Sequence, residues 1–333
     1  MTAVTADPPV RVGLYFDMRN PPPWREPWAV HWARTLDHIV AAEECGLDSV
    51  WLSEHHMFAD GYLPQPLVLA AAIAARTSRI RIGTAVLLVA LRSPLHVVEE
   101  ANVVDVLSDG RLDLGVGARY SPAEFEAFGV ASQQRFSVVE RNLTRMLELW
   151  AAGTATPPPV QEPIPLWGGF YGPRGANLAG RLGMGLLALE PELLPHYRAG
   201  LQAGGHAPAE ARLRGRLRMV LADDPDQAWD RIKPHLQWQQ DTYRAHAARP
   251  GEPAPTPIDV ESWRRPGPNG RPPRFEVLTA SDATAAIRSR TKGMPVDEVF
   301  LWATVASMPE DLARRHMELA ACELRPRLAR VAS

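Results

Sequence analysis

The sequence predicts one α/β domain spanning residues 1–333, a (β/α)8 TIM barrel with a proline-rich insertion before the last strand. Three observations carry this expectation. Apolar strand-like runs alternate with helix-like segments along the chain, the pattern of parallel strands joined by right-handed helical crossovers. The count is eight strands, each followed by a helix. No glycine fingerprint for a dinucleotide follows the first strand, as a doubly wound open sheet would need.

Val10 to Asp17 reads as the first strand, followed by a proline-rich loop from Met18 to Pro27 that carries Trp24. Trp32 to Cys45 places Leu36, Ile39, Val40 and Glu43 at helical spacing, and Gly46 ends that helix. The run from Ser49 to Leu52 is the second strand. It leads into Ser53-Glu54-His55-His56, an acid and two histidines at the end of a buried element. Pro66 to Thr77 reads as a helix, and Ile80 to Val89 as a strand buried on both faces. Ser93-Pro94 caps a helix that runs to Leu107 and stops at Asp109-Gly110. Leu112 to Gly117 is the fourth strand and Arg135 to Trp150 the next helix. Strands at Ile164–Gly169, Gly185–Leu189, Arg216–Leu221 and Glu298–Thr304 follow. Their helices are Ala176–Leu182, Glu192–Gln202, Asp226–Ala247 and Glu310–Leu324, with one more at Asp282–Arg290. Arg212, Arg214, Arg216 and Arg218 alternate with Leu213, Gly215, Leu217 and Met219, which reads as a solvated strand face. The segment from Arg249 to Arg274 is proline-rich and too polar for core. It is either a functional lid or a floppy excursion.

Composition narrows the function. Apolar residues make up 46% of the chain and charged residues 22%, as in an ordinary well-cored protein. A net charge of -2 gives no field to attract nucleic acid or an anionic membrane, so neither is expected as a partner. Cys45 and Cys322 are too few for a disulfide framework or a four-thiolate metal site and read as free thiols. Met1 to Pro9 shows no basic segment followed by an apolar core, and no apolar run approaches a membrane span. A cytoplasmic protein is expected.

In such a barrel the site forms at the C-terminal ends of the strands. That rule selects Asp17, Glu54 and His55, then Ala85 and Val86, then Gly117 and Arg119, then Tyr171, and finally Trp302. Successive strand residues point to opposite faces, so at most one of His55 and His56 faces the axis. The remaining histidines, such as His96, His196, His235, His246 and His316, fall within helices, which argues against a metal site. The stretch Gly168-Gly169-Phe170-Tyr171-Gly172-Pro173-Arg174-Gly175 joins a strand to a helix. Its glycines and helix N-terminus suit an anion, and Arg174 adds charge, although such a loop can equally be only a turn. Gly117-Ala118-Arg119 offers a second contact on the same rim. Arg135 is either a third or a surface ion pair.

Several runs resemble the bacterial luciferase-like flavin monooxygenases. They are Trp51 through His56, Ile80 through Val86, Ser93-Pro94, Asp105 through Gly117, Pro165 through Gly169, and Ala179 through Gly183. The resemblance is dense from about Val10 to Leu189 and looser beyond. It implies a barrel that binds reduced FMN, supplied by a separate flavin reductase, and uses O2 to oxygenate a small organic substrate through a flavin C4a-peroxide. It implies a cis peptide at Ala85-Val86 beneath the ring, and His55 as the catalytic residue that handles protons beside it. An imidazole, with a pKa near ~6.5, can do this at neutral pH. Phosphate contacts are implied at Gly172, Pro173, Arg174 and Gly175, and at Arg135. Two positions depart from the family pattern. Ala118-Arg119 reverses the family's arginine–glycine order. Tyr171, Gly172 and Pro173 stand where acidic and hydroxyl side chains are usual, so backbone N–H groups would carry more of the binding. Trp24, Trp28, Tyr15, Phe58, Tyr62 and Trp302 suggest a flat aromatic or long apolar substrate, met by Asp17, Trp24 and Trp302, although tryptophans in loops can simply pack. A homodimer through the helices at Leu67–Arg76 and Val97–Leu107 is also implied, as is a mobile lid at residues 249–274. The alternatives are a deazaflavin-dependent hydride-transfer enzyme and a non-catalytic flavin-binding subunit.

Overall fold

A computed structural model describes residues 9–118, 121–248, 255–268 and 271–329. Eight parallel strands close into a barrel: β1 (Arg11–Phe16), β2 (Ser49–Leu52), β3 (Arg81–Thr84), β4 (Leu112–Val116), β5 (Leu166–Gly168), β6 (Gly185–Leu187), β7 (Leu213–Leu217) and β10 (Val296–Trp302). Closure runs from β10 back to β1, with Arg11 opposite Glu298 and Tyr15 opposite Trp302. Among the described residues no helix is long and apolar enough to cross a membrane.

The helices wrap the barrel as α1 (Trp28–Glu44), α2 (Pro66–Ala74), α3 (Pro94–Ser108), α4 (Pro122–Ala127), α5 (Arg135–Ala151), α6 (Pro173–Arg181), α7 (Leu194–Ala203), α8 (Pro225–Ala247), α9 (Ala280–Thr291) and α10 (Glu310–Leu319). Many of them begin as local chemistry dictates. Proline occupies the first turn of α2, α3, α6 and α8, where its missing N–H costs nothing. Asp224 accepts from the N–H groups of Asp226 and Gln227 at the start of α8. Asp109, with φ of 53°, ends α3 in the left-handed conformation that Asp tolerates.

The barrel differs from the sequence reading in three places. The long apolar run after Ile80 is a strand only to Thr84. The Ala85–Val86 peptide is cis, as the resemblance implies. Leu87 then rejoins β4 by donating to Gly115 O at 2.7 Å. Second, the arginine-rich run splits. Its first half, Leu213–Leu217, is the barrel strand. Its second half, Met219–Leu221 (β8), leaves the barrel and pairs with Glu276–Leu278 (β9) in a small parallel sheet. Third, the arginines are not a solvated face. Arg212 and Arg218 are exposed, but Arg214 is buried and Arg216 half-buried. The pleat turns these two into the barrel.

Arg214 meets a ready-made counter-charge there. It lies 3.0 Å from Asp113 and 3.4 Å from Glu298, and its guanidinium sits 3.9 Å from the Trp167 ring centroid. Arg81 also reaches Asp113 at 2.6 Å. Trp51 donates its indole N–H to Glu298 at 2.6 Å, and Trp167 donates to Asp113 at 3.2 Å. Burial pushes Asp113 up, but Arg214 and Arg81 overcome it and hold this carboxyl below the usual range. The result is a neutralised, hydrogen-bonded plug in the lower barrel, the only economical way to bury such charges.

The described part of the proline-rich segment docks against the small sheet. Val260 and Trp263 are buried with Trp229 and Phe275, and Glu261 accepts from Trp229 at 3.1 Å and from Lys233 at 2.8 Å. Its apolar residues are few, but they are placed to anchor it. Residues 249–254, 269 and 270 of that segment lie outside the described residues.

His316 fastens the small sheet to the barrel. Its Nδ1 accepts from Leu221 N–H at 2.8 Å and its Nε2 donates to Trp302 O at 3.0 Å. Burial lowers its pKa to about 4, so the ring is neutral. The folded value lies below the ordinary 6.5, so the stabilisation is fully present above pH 6.5 and fades as pH falls through 4. In urea unfolding at pH 7.5, His316→Phe is expected to be less stable than wild type. That gap should narrow by up to about 3 kcal/mol by pH 4. A gap that stays constant with pH would contradict the neutral latch.

Candidate active site

The C-terminal strand ends surround a cavity of about 200 Å³ lined by aromatic and apolar groups with a few polar ones among them. Tyr15, His55, Ala85, Val86, Leu187, Arg216, Tyr243 and Phe300 supply most of the wall. β2 ends one turn before His55, whose N–H donates to Leu63 O at 2.9 Å. Its ring packs 3.9 Å from the Tyr62 ring, with Phe58 edge-on at 5.5 Å. Its Nε2 shares a 2.6 Å hydrogen bond with the Tyr243 hydroxyl. His56 points elsewhere, with its Nε2 3.0 Å from Glu54, as the strand alternation requires.

Glu54 is fully engaged. One oxygen meets Arg92 at 2.9 Å and His56; the other accepts from Leu88 N–H at 2.6 Å. It thereby fixes the loop after Val86. Val86 itself fits because of two glycines. A Cβ on Gly117 would come within 2.5 Å of Val86 Cγ2, and one on Gly169 would collide with Val86 Cγ1. Only hydrogen at both positions lets this side chain sit in the wall.

Tyr243 comes from α8, and a buried arginine holds that helix in place. Arg19 Nε donates to Asp60 at 2.7 Å, its Nη1 to Gln239 O at 3.4 Å, and its Nη2 to the Thr242 hydroxyl beside Tyr243. Its guanidinium lies over the Tyr62 ring at 4.9 Å and the Phe58 ring at 5.4 Å. One side chain thus ties the rings under His55 to the helix that carries its partner.

Several groups here have shifted protonation. Burial pushes Tyr15 up to about 12 against the nearby Arg216, and burial holds Tyr62 well above its ordinary value. The two hydroxyls lie 3.3 Å apart. Burial also raises Asp17 to about 6, outweighing Arg19, and its Oδ2 has no partner among the described residues.

The candidates read from sequence divide into groups. His55, Ala85, Val86 and Tyr171 line the cavity, and Gly117 backs Val86. Trp302 stands behind the wall, 6.4 Å from the Tyr15 ring, with its indole N–H buried and unpartnered. Asp17 is buried beside Arg19 and is not part of the lining. Trp24 is not part of it either. Its indole stacks at 3.8 Å on His235, on α8. Pro173, Arg174 and Gly175 line a separate, neighbouring pocket with Phe136 and Glu140. Gly172 precedes α6 with φ of 124°. Arg135 and Arg174 both lie over the Phe136 ring, at 4.9 and 5.7 Å. Arg119 lies outside the described residues. Among the lining residues that sequence did not single out are two polar ones, Tyr243 and Arg216. Tyr243 is 188 positions from its histidine, on a helix without any motif. Arg216 was visible in the arginine alternation, but nothing local says which face of that strand is inside.

The closed parallel barrel with an aromatic cavity at the C-terminal ends of its strands places the chain in the (β/α)8 class. The luciferase-like monooxygenase family model matches residues 11–287. The chain belongs to that family. It is 30% identical over 228 residues to an F420-dependent glucose-6-phosphate dehydrogenase from Kineococcus radiotolerans, covering 60% of this chain and 67% of that one. Among solved structures, the monooxygenase RslO1 from Streptomyces bottropensis superposes with a TM-score of 0.79 at 23% identity, over 95% of this chain and 99% of its own. The oxygenating constituent of 3,6-diketocamphane monooxygenase from Pseudomonas putida, in complex with FMN, gives 0.68 at 17% identity over 96% and 98%. At such identities the two structures speak for the fold.

Proposed function

We propose that this chain is an FMN-dependent monooxygenase that oxygenates a small, largely aromatic or apolar substrate, with reduced FMN delivered by a separate reductase. The observation that carries the reading is the His55–Tyr243 pair set into the wall of the mouth cavity. The residues present fit a flat tricyclic ring. Ala85, Val86, Leu187 and Phe300 offer apolar contact, while His55 and Tyr243 offer polar groups at its edge. The phosphate would fall to the glycine-flanked start of α6 and to Arg174, with Arg135 across the Phe136 ring. When bound, reduced FMN supplies two electrons to O2, so that one oxygen atom enters the substrate and the other leaves as water.

His55 holds or releases a proton at Nε2, and the Tyr243 hydroxyl 2.6 Å away passes it on. The aromatic groups around them, Tyr15, Phe58, Tyr62 and Phe300, keep bulk water from the reacting centre. The matching family model is that of luciferase-like monooxygenases, which supports oxygenation. The second reading is hydride transfer with F420, supported by the likeness to the glucose-6-phosphate dehydrogenase.

With FMN, NADH, a flavin reductase and ¹⁸O2, products from a panel of aromatic and long-chain substrates should carry one ¹⁸O by mass spectrometry. His55→Ala should lower turnover by about 10² to 10⁴ and leave FMN binding nearly unchanged, and Tyr243→Phe should lower it by about 10-fold. Absence of ¹⁸O from every product, or full turnover in His55→Ala, would reject the reading.

We also propose a homodimer through α2 and α3. Val68 is 70% exposed and Leu107 52%, and Leu95, Val103 and Val106 are exposed with them. Sedimentation equilibrium should give twice the 36.7 kDa chain mass. A species of the single chain mass alone would reject it.

A further inference from the structure

Two inward arginines follow one another along β7, and they are treated differently. Arg214 is paired with Asp113 and Glu298. Arg216, one layer nearer the mouth, lines the cavity and has no carboxylate and no hydrogen-bond acceptor among the described residues. Its close neighbours are rings. Its guanidinium sits 4.5 Å from the Tyr15 centroid and 5.4 Å from that of Trp302.

The acids nearby do not neutralise it. Glu54 lines the same cavity but is committed to Arg92, His56 and the Leu88 N–H. Asp17 accepts from the Arg19 N–H and makes no ion pair with Arg216. The hydroxyls of Tyr15 and Tyr62 are held protonated by burial. Burial opposes the Arg216 charge, but a guanidinium stays protonated at any working pH. Arg218 stands two residues further on, its guanidinium 5.8 Å from the Trp263 ring, and also forms no ion pair among the described residues. Arg216 and Tyr171 are among the charges and hydroxyls it senses most.

A half-buried cation in a cavity wall, with no carboxylate on it, leaves a place for an anionic group. We propose that Arg216, with Arg218 toward the mouth, receives an anionic group of the substrate. The substrate class is then an aromatic or apolar frame bearing a carboxylate, sulfonate or phenolate. This rests on the monooxygenase reading for the identity of the reacting partner, but the anion site is defined by the chain's own residues. A charge-assisted, bidentate hydrogen bond in this ring-lined cavity would hold that group and fix which end of the frame faces His55.

The test compares 2-naphthoate with 2-naphthamide, which share a ring system and shape and differ in charge. Calorimetric titration of the purified chain should show the anion binding at least ~10-fold tighter. Arg216→Met should abolish that preference, and Arg216→Lys should retain part of it. Arg216→Met should also fold with urea stability equal to or above wild type, because it removes a charge that no described residue pairs. FMN is titrated in parallel by fluorescence. Equal binding of the two naphthalenes by wild type, or a preference that survives in Arg216→Met, overturns the proposal. It is also overturned if Arg216→Met loses affinity for reduced FMN alone, since the cation then serves the ring. If the naphthoate preference behaves as expected while FMN does not bind at all, the anion site stands and the flavin reading falls.

Discussion

The site depends on how β7 distributes positive charge. The strand carries arginine at alternate positions, so its pleat delivers Arg214 and Arg216 to the same interior one layer apart. The lower barrel answers Arg214 with Asp113 and Glu298 and caps the group with the faces of Trp51 and Trp167. Among the described residues nothing comparable answers Arg216. Around it the barrel supplies rings and protonated hydroxyls instead of carboxylates. The lower layer is therefore closed electrostatically and serves stability. The upper layer is left open, with the unbalanced charge facing the cavity.

Everything else at the mouth serves to hold a small number of groups in fixed relation to that charge. Glu54 spends both oxygens on the loop that carries Val86. Gly117 and Gly169 give Val86 its space. Arg19 ties the rings beneath His55 to the residue preceding Tyr243. The Glu54 and Arg19 contacts are charge-assisted, and all of these contacts connect segments far apart in sequence. A histidine on β2's loop and a tyrosine on α8 can share a 2.6 Å hydrogen bond only because both are anchored this way.

Much of this was legible in the sequence, for physical reasons. Barrel strands are buried on both faces, so they appear as short apolar runs, and helix starts appear as proline or capping residues. The position of His55 followed from its place at a strand end, and alternation separated it from His56. What was not legible depends on tertiary placement. The alternating arginines give no local sign of which face is inside, and the solvated reading was the ordinary one. Tyr243 lies on an amphipathic helix like any other. Trp24 looked like a substrate contact because it is an aromatic in a loop, yet it stacks on His235. The small β8–β9 sheet was missed because Glu276–Leu278 is too short to announce itself and its partner continues directly from a barrel strand.

The central claim is that this mouth is built for reduced FMN, and its most direct test is a competition for the apo protein. Under anaerobic conditions the chain would be dialysed to equilibrium against equal concentrations of reduced FMN and reduced F420, and the retained cofactor identified by chromatography. The account predicts stoichiometric retention of FMN with F420 left in the dialysate. Retention of F420 in preference to FMN would contradict it and make hydride transfer the function of the site.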